Sequence, residues 1–460
     1  MSRRPATVQF DQTTPLLVLK TCEQPLHYGT LGVIRSLGRV GVPVYSSRDA
    51  GPSPAAASRY LRKAKLGVLS QPDPEANIAV LKAFQRRIGR PMMVLPVDDK
   101  GALFVAEHAE ALGSDFLLPA QKPGLPRLAA SKANNPKLCT TVGAATPRIV
   151  ALGPTDDPAA AQAIRYPAVV KVAQPWLLPP GFRSAVLART PADVADYRSR
   201  LREQSPADIV VQEYIPQDLA EDWFYHGYHR EGGEAVVGFT GRKLRSYPPF
   251  FGATSYGVSI VNEEVSAISR KILRKLGYAG IVELEFRFDR RDRKYKFVDF
   301  NPRLGAQFQF LRNDRGIDVV RAMHLDLTGR EVPQGRQVED CAFVSDFKDV
   351  AAFLPYWRSG AVSPAEWLRQ VLTAQEHTWF ALDDLAPFVA AFGHSAKQIP
   401  SALMRRARRD RDEIAQGQRP VRPPLVWSAE TSREADEVYT APCSPSAALS
   451  SRARKRSPAA

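Results

Sequence analysis

From Pro15 to about Pro119 short apolar runs alternate with amphipathic stretches: LLVLK, GTLGVIRSLGRVG, VPVYS, ANIAVLKAFQRRIG, MMVLPVDD and GALFVAEHAEALG. Continuous apolar runs suit strands buried on both faces, and the stretches between them carry the three-to-four spacing of helices. Residues 1–120 are therefore predicted to form a Rossmann-like α/β domain on a parallel sheet. The first strand leads through Gly29, Leu31 and Gly32 into a helix carrying Arg35. Two readings stand for that junction. Its backbone amides meet an anionic group, or its glycines let strand and helix pack closely, since the spacing departs from the GxGxxG dinucleotide fingerprint.

From about Lys122 to Gly329 strand follows strand: PAVVK, SAVLART, DIVVQEY, DWFYHGY, AVVGFTGRKL, YGVSIV, then the helix EEVSAISRKILRKLG, then AGIVELEFRFD and KYKFVDFNP. This pattern predicts an α+β unit on antiparallel sheets over 121–331. The charged turn RRDRK brings its two flanking strands side by side as a hairpin. Beyond Val332 lies a helical region, 332–416, containing WRSGAVSPAEWLRQVL and LDDLAPFVAAF. Residues 417–460, rich in Pro, Ser and Ala and without hydrophobic periodicity, are predicted to be a disordered basic tail that catalysis does not need.

Composition narrows the classes. A chain of 460 residues, 44% hydrophobic, has enough apolar material for two to four folded domains. No run reaches the ~18 to 20 apolar residues of a membrane span, and the N-terminus lacks the apolar stretch of a secretory signal, so a cytoplasmic protein is expected. Cys22, Cys139, Cys341 and Cys443 stand far apart, which indicates neither a disulfide framework nor a zinc site. The net charge of +15 invites a nucleic-acid reading, but twelve basic against seven acidic residues lie beyond 404, a third of the excess. The charge thus reads largely as a solvated tail, and nucleic-acid binding is not expected as the main function.

The strongest chemical constellation is the hairpin. Glu283 and Glu285 differ by two and share one strand face; Asp299 and Asn301 share a face of the next. Buried carboxylates held together repel unless a cation compensates them. Two carboxylates and a carboxamide are hard oxygen donors suited to Mg²⁺ with nucleotide phosphates, so Glu285, Asp299 and Asn301 are the candidate metal ligands. Lys243 and Arg245, on the strand end of FTGRKLRSYPPFFGA, also differ by two and are expected to share a face.

GIVELEFRFDRRDRKYKFVDFNPR resembles the metal-binding hairpin of the ATP-grasp superfamily, which includes D-alanine ligases, biotin carboxylase and carbamoyl phosphate synthetase. The resemblance covers roughly residues 15–330 and implies a pre-ATP-grasp domain followed by an ATP-grasp domain with a small lid at about 148–212. In SKANNPKLCTTVGAATPRIV it places Lys132 against nucleotide phosphate. YPAVVKVAQ resembles the next strand, with Lys171 reaching the α and β phosphates. PPGFRSAVLART takes the place of the phosphate-covering loop, with Gly181 and Arg183. IVVQEYI is similar to the strand along the adenine, which Glu213, Tyr214 and Ile215 would read with backbone groups. Asp222 matches the ribose carboxylate, with Glu221 competing, Arg303 matches the arginine that steadies acyl phosphate and oxyanion, and the resemblance implies that of Lys243 and Arg245 one holds the γ-phosphate and the other the developing acyl phosphate. Asp299 stands where many members carry Glu.

The resemblance implies ATP and Mg²⁺ as cofactors, with Mn²⁺ as the substitute metal. It implies a ligase that activates a small-molecule carboxylate as an acyl phosphate and couples it to an amine; a homodimer is compatible with it. A bicarbonate-activating carboxylase of the same fold and a non-catalytic nucleotide- or RNA-binding protein are the alternatives, the former lacking the Met-Lys-Met site of a biotinyl carrier. The acceptor groove is expected from Thr21, His27, Tyr28, Gly29, the SYPPFFGATS loop, Gln307, Gln309 and Arg312.

Overall fold

Leu16–Leu19 (β1) is apolar at every position because both its faces are covered, the usual state of a strand in a parallel sheet. It pairs in parallel with Val44–Ser46 (β2) and Met92–Pro96 (β3), and β3 with Phe116–Leu117 (β4), giving the order β2-β1-β3-β4. The connecting helices are Tyr28–Gly38 (α1), Pro74–Ile88 (α2), Asp99–Glu107 (α3) and Ala109–Leu112 (α4). Asp73 and Asp98 cap α2 and α3 by accepting backbone N–H groups, and Gly89 closes α2 in the left-handed conformation. The structure, a computed structural model, describes residues 8–396 apart from 23, 48–52, 65, 67–68, 70–72, 154 and 250–251. The tail expected at 417–460 lies outside the described residues.

At the start of α1 the glycines make room for the segment that follows β13 rather than for the first strand. A Cβ on Gly29 would stand 3.0 Å from the Ala306 backbone, and one on Gly32 would stand 2.7 Å from the Gln309 side chain. Arg35 turns inward and is buried, donating to Asp384 at 3.0 Å and to the carbonyls of Trp379 and Asp384.

Leu125–Ala130 (α5) and Asn135–Val142 (α6) lead into a small antiparallel sheet of order β5-β8-β6-β7. Its strands are Ile149–Leu152 (β5), Ala168–Val172 (β6), Ala185–Ala188 (β7) and Ile209–Glu213 (β8), with Pro191–Arg202 (α7) between the last two. Leu152, Val170, Val172, Leu201 and Val211 give this unit a core of its own.

The third sheet is the largest. Ala220–His229 (β9), Ala235–Tyr247 (β10), Ala253–Ser259 (β11), Gly280–Asp289 (β12) and Lys294–Asn301 (β13) are antiparallel neighbours, with Glu263–Leu276 (α8) before β12. Side chains alternate between two cores. Phe224, Tyr228 and Phe239 join Leu16, Val18 and Met93 of the first sheet, whereas Trp223, Tyr225, Leu284 and Phe286 pack with Val265 and Ile272 of α8. The change of texture near residue 120 thus marks a change of sheet with a core shared across it.

The C-terminal region adds two short strands to its helices. Beyond Val319–Leu327 (α9), Ala342–Val344 (β14) pairs with β11 and Glu376–His377 (β15) pairs with β14, extending the order to β13-β12-β9-β10-β11-β14-β15. Asp346–Arg358 (α10) and Pro364–Thr373 (α11) lie between them. Strands this short leave no period-two signature. Among the described residues no helix is long and apolar enough to cross a membrane.

Candidate active site

β12 and β13 pair in a register that sets Glu283 opposite Asn301 and Glu285 opposite Asp299. The same register on the other side of β12 sets Glu283 opposite His226 and Glu285 opposite Phe224. Cross-strand partners share a face, so these side chains stand on the side of the sheet that faces the first domain. Lys243 of β10 lies opposite Asp222, two positions along the same face. Each carboxylate has its own lysine. The Lys132 ammonium sits on Asp299, and that of Lys243 is 3.4 Å from Glu285.

Burial, with Glu283 and Asp299 close by, pushes the Glu285 carboxyl up against the pull of Lys243 and Lys171. For Lys243 burial acts downward, but Glu285, Asp222 and Glu283 outweigh it and hold the ammonium protonated. Lys171, half-buried on β6, is drawn down by burial to about 8, with Asp299 and Glu285 opposing and Lys132 and Lys243 adding to the shift. Five of the sequence-derived residues therefore form one electrostatic cluster: Lys132, Lys171, Lys243, Glu285 and Asp299.

Arg303 leaves β13 and reaches back into the cluster. It donates to Glu283 Oε2 at 3.1 Å and to Asn301 Oδ1 at 3.1 Å, and its Nε lies 3.5 Å from Asp99. Burial opposes its charge, but Asp99, Glu283 and Asp299 together raise its pKa further. Glu283 is the centre of this second group, receiving Arg303, Asn301 and Gln307, with His226 Nε2 at 3.4 Å. Despite burial its carboxyl is held low by His226, Arg303 and Lys243. Gly305 makes the approach feasible: a Cβ there would lie 2.1 Å from the His226 ring and 2.7 Å from the Glu283 carboxyl carbon.

Among the described residues no three His, Cys, Asp or Glu side chains gather as a ready metal cage. Glu285 and Asp299 offer two facing hard donors, each neutralised by a lysine. That set fits Mg²⁺, which fills its remaining positions with phosphate oxygens and water. The Asn301 amide is engaged with Glu283 and Arg303.

The nucleotide-side residues are placed as follows. Arg291 of the charged turn pairs with Glu213 at 2.7 Å, and Arg287 pairs with Asp222 at 2.6 Å and with the Ile215 carbonyl at 2.9 Å. Tyr214 lies between Glu213 and Ile215, where β8 ends. Glu221 is shared by Arg242 and Arg290. Gly181, at φ +81°, and exposed Arg183 sit on the loop between β6 and β7.

Arg245 is the correction. Two residues of β10 oppose one of β11 at Leu244, since Lys243 pairs with Gly257 and Arg245 with Tyr256. This bulge reverses the alternation and sends Arg245 away from Lys243. It is buried with Asp349, donating at 2.9 and 2.7 Å, and lies over the Tyr256 ring at 4.3 Å. Arg312 likewise pairs with Glu376 of β15. Sequence reasoning gave no role to Asp99 or His226. The position of Asp99 after β3, where ligands of open α/β sheets collect, was the available signal for it.

No protein-family model matches the sequence, and no curated protein matches it. Solved structures do. N5-carboxyaminoimidazole ribonucleotide synthetase in complex with ADP superposes with a TM-score of 0.54 at 13% identity, over 73% of this chain and 82% of that one. The biotin carboxylase domain of 2-oxoglutarate carboxylase from Hydrogenobacter thermophilus, in complex with MgADP, ADP and bicarbonate, gives 0.52 at 13% identity over 70% and 71%. L-amino acid ligase from Bacillus licheniformis gives 0.51 at 16% identity over 71% and 75%. At such identities the likeness speaks for the backbone alone, and at that level it meets what the hairpin motif implied: the protein has the ATP-grasp fold.

Proposed function

We propose that the protein is an ATP-dependent ligase that activates a substrate carboxylate as an acyl phosphate and passes the acyl group to an amine. The observation that carries this reading is the pair Glu285 and Asp299, cross-strand partners each held by a lysine, with Arg303 beside them. A carboxylate is a poor electrophile because its leaving group would be oxide. Transfer of the γ-phosphoryl group forms an oxygen–phosphorus bond to the carboxylate as the bond to ADP breaks. The amine then attacks the acyl carbon, phosphate leaves, and the amine proton passes to solvent.

Such a transfer needs positive charge held in place rather than a protein nucleophile. Lys132, Lys171 and Lys243 supply it along the phosphates, and the Arg303 guanidinium faces the acyl phosphate and the oxyanion of the second step. Asp222, with Arg287, stands at the ribose, and the strand end at Glu213, Tyr214 and Ile215 lies along the base, under the loop of Gly181 and Arg183. Mg²⁺ on Glu285 and Asp299, with Asn301 adjacent, would neutralise phosphate charge and orient the transferred group. A bicarbonate-activating reaction is the second reading, favoured by the bicarbonate recorded with the Hydrogenobacter structure.

Calorimetric titration with a non-hydrolysable ATP analogue, with and without Mg²⁺, tests the reading. Saturable, Mg²⁺-dependent binding is expected, and its absence would sink the ligase and the carboxylase together. ATP consumption across amino acids, small acids and bicarbonate, with mass analysis of products, then separates the two.

A further inference from the structure

Positive charge around the site is balanced nearly group by group. Lys132 sits on Asp299, Lys243 on Glu285, and Arg303 between Asp99 and Glu283. Among the described residues Lys171 has no ion pair of its own, but Asp299 and Glu285 pull on its charge; Lys348, on α10, lacks even that. Its ammonium lies 4.7 Å from the centroid of the Tyr28 ring, and among the described residues it has no ion pair or hydrogen bond. It is half-buried, and burial draws it down to about 8 with no carboxylate opposing the pull.

Tyr28 fixes where this charge stands. It opens α1, is buried, and its hydroxyl lies within electrostatic reach of Glu283 and Arg303. His27, which caps the helix, feels Arg303 and Lys348 together with Lys20 and Asp98. Lys348 thus stands over the face of a ring whose hydroxyl is within electrostatic reach of Arg303. An ammonium over an aromatic face keeps its charge and its donors. Left partly desolvated without a counter-ion it is unfavourable, and an anion arriving beside it would be held by a charge-assisted hydrogen bond.

We propose that Lys348 anchors a carboxylate of the substrate that does not itself react, while the carboxylate being activated lies at Arg303. This rests on the ligase reading and narrows its substrates. One of them carries a spectator carboxylate, either as a dicarboxylic acid or as an amino acid serving as the amine. Lys348 is then a specificity-determining residue supplied by the segment that follows the central strands.

The test is calorimetric binding of succinate, L-alanine and inorganic phosphate, with Mg²⁺ and the non-hydrolysable ATP analogue saturating, to the wild type, Lys348→Gln and Lys348→Arg. Succinate or L-alanine is expected to bind the wild type, to bind Lys348→Gln about tenfold or more weakly, and to be largely retained by Lys348→Arg. Nucleotide affinity within about twofold in all three reports an intact fold. A second readout is acetylation of Lys348 in the wild type, followed by mass spectrometry against exposed Lys137. The bound carboxylate should slow Lys348 alone, which a purely structural lysine would not show. Equal carboxylate binding by Lys348→Gln overturns the anchor, as does a wild type that binds neither carboxylate, or a response to phosphate only. If Lys348→Gln fails to fold, absence of carboxylate protection in the wild type overturns it instead. Failure of the wild type to bind the nucleotide analogue removes the ligase reading itself.

Discussion

Lys243 and Arg245 leave the same strand two residues apart and meet opposite fates. Lys243 stands 3.4 Å from a carboxylate that remains partly open to ligands, whereas Arg245 is locked to Asp349 beneath α10 and α11. Arg35 repeats the second pattern with Asp384. Both arginines are spent on fixing the C-terminal segment. Lys132 and Lys243 stay beside Asp299 and Glu285. The difference follows from the side chains: a planar guanidinium satisfies several buried acceptors at once, while an ammonium exchanges partners readily.

The largest expected effect breaks the Arg245 side of this contrast. Arg245→Met leaves Asp349 as a buried unpaired carboxylate and should cost about 3–5 kcal/mol of stability in urea unfolding. Turnover per folded molecule should be unchanged, and a selective fall in kcat would place Arg245 in the site after all. On the other side, Lys243→Met should lower kcat for ATP-dependent ligation by roughly 10² to 10³ with a far smaller change in unfolding midpoint. Arg303→Met should do the same while sparing ATP affinity, and loss of nucleotide binding would move that residue into the ATP site.

Asp299→Asn sharpens the comparison from the carboxylate side. It should weaken Mg²⁺-dependent ATP binding about tenfold, an effect that raising Mg²⁺ partly restores in calorimetry. The smallest effect belongs to the half-exposed pair Arg39 and Asp383, 2.9 Å apart. The Arg39 hydrogen bond holds Asp383 well below the usual carboxylate range, so its contribution is present above about pH 4 and fades as pH falls through the lowered value. Solvent screening keeps it to about 1 kcal/mol or less, and Asp383→Asn should flatten acid unfolding only slightly.

These contrasts also show what the sequence could carry. Glu285 and Asp299 were legible because strand alternation is local, and two carboxylates inside apolar VELEF and VDFNP stand out against it. The direction of Arg245 was not legible, because one extra residue at Leu244 changes the backbone register without changing the hydrophobic pattern. Arg35 and Asp384 meet across 349 positions, and Lys348 meets Tyr28 only after α10 has packed on the central strands. Such pairings depend on tertiary placement. β14 and β15 are too short to announce themselves in any window.

Those two short strands have a consequence for the border of the sheet. β14 covers the outer side of β11 through the register Tyr256–Val344, Gly257–Phe343 and Val258–Ala342. A chain ended before them would leave β11 with a row of unpaired N–H and C=O groups beside apolar Tyr256 and Val258. That is a template on which another copy can add itself as the next strand. The C-terminal segment thus acts as a molecular selvedge, and shortened forms lacking it should self-associate before they unfold.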